Sequence, residues 1–203
     1  SIFYIACLRK KVVPVLINKE ISKDLLKRLL ELYRPKYIWA ERNEYVVEGS
    51  IETISYKNYG MYLTNYSIDY KINEDTALLL TTSGSTGSPK LVRLSYKNIN
   101  SNAEAIVKYL NITNNDRAIT TLPMSYTYGL SIINSHLLAG ASIIITKKTL
   151  MSKEFWGLLK DKEATNFGGV PYIYEMLKKL RFERMNIPSI RYITQAGGKL
   201  SKE

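Results

Sequence analysis

The chain reads as an α/β protein of layered strand–helix alternation, and three observations predict it. Short runs of β-branched and aliphatic residues recur along the 203 residues, among them Val12–Ile17, Ala77–Leu80, Ala118–Leu122 and Ala141–Thr146. Segments with apolar residues at three- and four-residue spacing separate them, and Gly, Ser or Pro stands at the junctions. Strands alternating with helices in this way build doubly wound layers, with ligands at the carboxyl ends of the strands. A composition of 45% hydrophobic and 23% charged residues is that of a packed core, not of a disordered chain.

Ser1 to Leu8 is apolar and reads as the end of a core helix; with no basic region before it and no small-residue cleavage site after it, a signal peptide is disfavoured. Val12 to Ile17 reads as a buried strand. Ser22 is placed to cap a helix whose Leu25, Leu26, Leu29, Leu30 and Tyr33 share one face until Pro35 ends it, and Tyr37-Ile38-Trp39 is a second strand, giving a βαβ-like start. Tyr45 to Tyr70 alternates apolar and polar residues around Asn58 and Gly60, the pattern of antiparallel strands whose tyrosines serve packing. Ala77-Leu78-Leu79-Leu80 and Leu91-Val92-Arg93-Leu94 are strands, and Ser95 caps the helix that follows to Leu110. Ala118–Leu122 is a strand, Ser131–Leu138 a helix stopped at Ala139-Gly140, and Ala141–Thr146 another buried strand. The pattern continues with a helix around Phe155–Leu159, a strand at Thr165–Phe167, a helix from Tyr172 to Leu180 and a last strand at Tyr192–Thr194.

Between the strands around residues 80 and 91 runs Thr81-Thr82-Ser83-Gly84-Ser85-Thr86-Gly87-Ser88-Pro89-Lys90. Composition alone fits a flexible linker as well as an anion-binding loop. Its setting between two strands favours the loop. There, Gly84 and Gly87 permit the backbone turns that point successive N–H groups inward, Thr82, Ser83, Ser85 and Thr86 add hydroxyl donors, and Lys90 adds a positive charge. Pro89 before the lysine and Leu91 after it exclude the Walker phosphate loop.

Other chemistries are narrowed by what is scarce. The single Cys7 excludes an internal disulfide framework or a multi-cysteine zinc site, and its apolar neighbours make it a buried packing residue. The single His136, in a helical stretch, disfavours Ser-His-Asp hydrolysis and His-bridged metal sites. The net charge of +11 comes from lysines and arginines spread along the chain, which reads as solvated faces and not as a nucleic-acid surface. No apolar run reaches the ~20 residues that span a bilayer, and the expected setting is a reducing cytoplasm.

Thr82 to Lys90 resembles the phosphate-loop signature of the adenylate-forming superfamily, which includes acyl-CoA synthetases, the adenylation domains of peptide synthetases and beetle luciferases. Pro123 to Leu130, Gly169-Val170-Pro171 and Gly197-Gly198 follow in the family's order and approximate spacing. The resemblance implies two packed α/β subdomains, residues 1–94 and 95–203, forming part of a larger N-terminal domain. It implies an ATP-dependent ligase that forms an acyl-adenylate from a small-molecule carboxylate, then passes the acyl group to CoA or to carrier-protein phosphopantetheine. Lys90 would be catalytic, with Thr82, Ser83, Gly84, Ser85, Thr86 and Gly87 around the phosphates of ATP and Mg2+ bridging them. Gly197 and Gly198 would lie against the adenosine and acyl groups, and Tyr126, Tyr128, Gly169 and Val170 would line the carboxylate pocket.

Three positions depart from the family pattern. Leu91 replaces a frequent Gly, Tyr126 stands where many relatives carry His, and the Gly-Gly loop is one residue shorter than the usual form, leaving Lys199 without a role. The family's magnesium-binding Glu segment and its C-terminal lysine domain are expected after Glu203. The chain by itself is therefore expected to be inactive and to self-associate through apolar edges. The alternative reading, from a different class, is a non-catalytic nucleotide-binding or interaction module that retains the phosphate loop.

Overall fold

The computed structural model describes residues 2–42, 44, 46–68, 70–81 and 90–199. The phosphate-loop residues Thr82, Ser83, Gly84, Ser85, Thr86 and Gly87 lie outside them. By contact the chain divides into two units: Ser1–Leu16, Asp75–Leu80 and Arg93–Glu203 in the first, Ile17–Glu74 and Thr81–Val92 in the second. One crossing between units falls between Val92 and Arg93, two residues before the boundary expected after Leu94.

The second unit holds α2 (Lys23–Tyr33) and an antiparallel sheet in the order β2-β4-β3, built from β2 (Tyr37–Glu41), β3 (Ile51–Tyr56) and β4 (Tyr59–Leu63). Ser22 caps α2 by accepting the Leu25 N–H at 3.3 Å, and Leu29 and Leu30 are its buried face. The βαβ start does not form, because β2 pairs antiparallel with β4, Trp39 opposite Met61. Gly60 lies inside β4, so only Lys57 and Asn58 turn the hairpin. The Trp39 and Tyr59 rings stack at 5.7 Å, as expected of tyrosines used for packing.

In the first unit, α1 (Ile2–Arg9) buries Tyr4 and Cys7, and β5 (Thr76–Thr81) runs between β1 (Val15–Leu16) and β6 (Leu91–Ser95). The strand expected from Val12 shrinks to Val15 and Leu16, paired with Leu79 and Leu80, with the Pro14 carbonyl accepting the Leu79 N–H just before it. A proline has no N–H to extend the ladder. Helix α3 (Tyr96–Leu110) opens on a capping box, the Ser95 hydroxyl accepting the Asn98 N–H while the Asn98 side chain accepts the Ser95 N–H.

The main sheet is parallel throughout, in the order β10-β9-β7-β8: β7 (Arg117–Thr120), β8 (Ser142–Ile145), β9 (Asn166–Gly169) and β10 (Tyr192–Gln195). Helix α4 (Thr127–Leu138) links β7 to β8, α5 (Lys153–Asp161) links β8 to β9, and α6 (Pro171–Lys179) links β9 to β10. The strand expected to be buried at Ala141–Thr146 is instead an outer strand of this sheet, with Ile145 54% exposed. Right-handed crossovers that run in opposite directions put their helices on opposite faces. Ile119 and Phe167 accordingly pack with Phe155 and Leu159 of α5 and Leu177 of α6, whereas Leu130 of α4 packs with Tyr4, Leu78 and Leu80.

Two buried polar groups brace this sheet. At the amino ends of the strands, the Asp116 carboxylate accepts from the Thr113 N–H at 2.8 Å, the Thr165 hydroxyl at 2.8 Å and the Arg191 guanidinium, joining the approaches to β7, β9 and β10. Burial pushes the Asp116 carboxyl up, but Thr113, Arg191 and Thr165 outweigh it and hold it below the ordinary 3.8. On α4, the His136 Nδ1–H donates to the Ile132 carbonyl at 2.8 Å and Nε2 accepts from the Asn166 amide of β9 at 3.1 Å. The lone histidine is thus a packed, neutral core residue.

Burial is the main cause holding His136 below its ordinary 6.5, against the opposing pull of the Ile132 carbonyl, Asp116 and Asn166. The unfolded chain takes up a proton below pH 6.5 that the folded chain refuses, so stability should fall as pH drops through that value, by at most about 1.4 kcal/mol per pH unit. Denaturant titrations of the full-length protein between pH 7.5 and about 5 should show this slope, and His136→Phe should remove it. An unchanged slope in the variant would contradict the assignment.

Candidate functional site

The sheet order reverses between β7 and β9. From β7 the chain moves outward to β8, returns across to β9 and continues to β10. A crevice opens beyond the carboxyl ends of the strands at such a switch point, because the loops on either side leave toward opposite faces. Here those loops are the Leu122–Tyr126 segment before α4 and Val170 before α6.

Tight packing sets the first loop. An added Cβ on Gly129 would lie 2.5 Å from the Pro123 carbonyl oxygen and 2.9 Å from the Leu122 Cβ, so only glycine lets the first turn of α4 close on the strand end. Tyr126 and Tyr128 emerge from this turn with their rings edge to face at 6.5 Å. The N-cap residues, Tyr126 of α4 and Val170 of α6, offer no side-chain acceptor to the helices they open. At α4 the first-turn N–H groups are donors available to an anion, whereas α6 opens on Pro171, which has no N–H, and its Ile173 N–H donates to the Val170 carbonyl.

The two tyrosines do different things. The Tyr128 hydroxyl lies 2.7 Å from Thr194 Oγ1 on β10 and accepts the Gly169 N–H of β9. Burial, aided by neighbouring Tyr126 and opposed by these two bonds, raises its pKa, so it remains protonated. Tyr174 of α6 is pushed up to about 12, chiefly by burial and then by the nearby Tyr128. Among the described residues the Tyr126 hydroxyl has no such partner; it faces Gly197, where an added Cβ would lie 2.5 Å from it and 3.4 Å from Val170 Cγ1. Gly197 has a φ of +90°, which disfavours any other residue there. The turn is held by the Gln195 side-chain amide donating to the Gly198 carbonyl at 2.7 Å, and Gly198 lies close to Pro171.

The structure therefore brings together Tyr126, Tyr128, Gly169, Val170, Gly197 and Gly198, from three segments spanning some 70 residues of sequence. Lys90 is an exposed residue of the second unit, next to β6. Gly168, first residue of the Gly168-Gly169-Val170-Pro171 turn read from the sequence, belongs to the same cluster, as do Thr194 and Ile132, which were not singled out by sequence. Their signal is the period of two along β9 and β10, which puts Gly168 and Thr194, register partners, on the face toward α4.

The profile of the AMP-binding enzyme family matches residues 1–203. The chain belongs to that family. Among the AMP-binding relatives, a 2-succinylbenzoate–CoA ligase of Bacillus velezensis is 27% identical over 201 residues, 95% of this chain and 40% of that protein. An acyl-CoA synthetase of Gibberella moniliformis is 29% identical over 139 residues, 67% of this chain and 25% of that protein. The o-succinylbenzoate CoA synthetase of Bacillus subtilis, solved with its product analogue, superimposes on 98% of this chain and 41% of its own with a TM-score of 0.74, at 22% identity. This likeness supports the fold. The chain thus spans between a quarter and two fifths of the length of these AMP-binding relatives.

Among the described residues no cluster of three or more His, Cys, Asp or Glu could hold a metal ion, so no magnesium ligand is assigned to them. No described helix is long and apolar enough to cross a membrane.

Proposed function

We propose that the full-length protein activates a small-molecule carboxylate with ATP and transfers the acyl group to the thiol of CoA or of carrier-protein phosphopantetheine. The observation that carries this reading is the strand-end crevice in which the Tyr126 hydroxyl faces Gly197 beside Val170. The loop Thr82–Gly87 and Lys90 hold the phosphates. A carboxylate oxygen attacks the α-phosphorus, the bond from that phosphorus to the bridging β-phosphate oxygen breaks, and pyrophosphate leaves. The thiolate sulfur then attacks the acyl carbon and expels AMP. A carboxylate is already ionised at neutral pH, so the first step needs no general base.

Within the crevice, Tyr126 donates its free hydroxyl to a substrate oxygen, whereas Tyr128 holds the loop in place. Gly197 and Gly198, without side chains, let the adenosine and acyl groups approach the backbone. Lys90 opposes the charge that develops on the departing phosphates. Exchange of labelled pyrophosphate into ATP by the full-length protein, measured across a panel of acids, tests the reading. Acid-dependent exchange is expected; its absence with every acid would overturn the proposal.

A further inference from the structure

Resting on the carboxylate-activation reading, we infer that the acid is short-chained, because Tyr128 and Thr194 close the slot that a longer acyl group would enter between α4 and the sheet. The face of the sheet toward α4 carries small residues at its carboxyl end. Thr120 of β7, Gly168 of β9 and Thr194 of β10 stand side by side there, as the register of Ala118 with Asn166 and of Thr194 with Gly168 requires. A row of small side chains beneath a helix leaves a slot, and its depth depends on what the helix sends into it.

Helix α4 fills this one. The Tyr128 ring lies over Gly168 so closely that an added Cβ there would meet its hydroxyl at 2.6 Å, and the hydroxyl is tied to Thr194 and to the Gly169 N–H. One turn further, the Ile132 Cδ1 would lie 2.8 Å from the same Cβ, and Ile132 is 8% exposed. Deeper still, the His136–Asn166 hydrogen bond bridges α4 to β9. What remains is the mouth, between Tyr126, Val170 and Gly197.

Two hydrogen bonds hold the Tyr128 hydroxyl in a half-buried position, so turning the ring aside for a longer acid would break both. The structure thereby assigns Thr194 as a specificity-determining residue that acts through Tyr128. Pyrophosphate exchange by the full-length protein with acetate, propionate, butyrate, octanoate, palmitate and benzoate tests this. The short acids are expected to exceed octanoate, palmitate and benzoate in kcat/KM by about tenfold or more, the discrimination that pocket size can supply. Tyr128→Ala should open the slot and shift the ratio toward octanoate. Thr194→Val, which keeps the side-chain shape and removes the hydroxyl, should shift the ratio in the same direction by a smaller factor. A merely structural role would lower the rates with all acids together and leave the ratio fixed. Preference of the unaltered protein for octanoate, palmitate or benzoate would overturn this inference while leaving carboxylate activation standing, as would ratios unmoved in both variants; absence of exchange with every acid would overturn both.

Discussion

Lys90→Ala in the full-length protein is expected to slow acid-dependent pyrophosphate exchange by about 10²- to 10³-fold, the cost of deleting one preorganised group that opposes charge developing in a transition state. Lys90 is exposed, at the edge of β6 and outside any buried cluster, so its removal should leave the thermal unfolding midpoint unchanged. In the proposed role Lys90 meets a phosphate charge that grows as pyrophosphate departs, so the loss should fall mainly on kcat. Lys90→Arg keeps the charge and should recover part of the rate. A variant within a few-fold of the parent would remove Lys90 from the catalytic machinery and shift the role to the donors between Thr82 and Gly87.

Asp116→Ala is expected to destabilise the fold by about 3 kcal/mol, at the low end for breaking a buried charge pair. The carboxylate is only 1% exposed, and its loss deprives the Thr113 N–H, the Thr165 hydroxyl and Arg191 of their acceptor at once. Arg191, 44% exposed in its side chain, still reaches water, which is why the upper end of the range is not expected. For a domain of this size the midpoint should fall by about 6–12 °C. The parent should also lose this stabilisation as pH falls below the ordinary carboxylate value of 3.8, since the folded-state carboxyl is held lower. A shift within 1 °C would show that the network contributes no net stability. Asp116 sits at the amino ends of the strands and the crevice at their carboxyl ends, so the folded variant should keep its preference among acids.

Much of the architecture was legible in the sequence because it is local. Ser22, Ser95 and Pro171 mark helix starts with their own chemistry, and the runs Ala77–Leu80 and Ala118–Leu122 mark the central strands β5 and β7. Pairing was less legible, since a strand does not encode its neighbour. Tyr37-Ile38-Trp39 could have joined a parallel sheet and instead pairs with β4, and Ala141–Thr146 has the composition of a buried strand but lies outermost. At the site, the glycines and tyrosines were found through the turns they occupy. The division of labour between Tyr126 and Tyr128 was not, because it depends on Thr194, some 66 residues away, arriving beside Gly168 through β9–β10 register.

Beside Tyr126 and Val170, the crevice is walled by main chain at Gly197 and Gly198. A site of this kind has little chemistry of its own to mutate. On the proposed function, the capacity to hold an anion comes with the topology, whereas the identity of the guest rests on two or three replaceable side chains between α4 and the sheet. New substrates can therefore be explored by drift at Tyr126, Tyr128 and Thr194 while the Asp116 brace, at the far end of the same strands, keeps the scaffold unaltered.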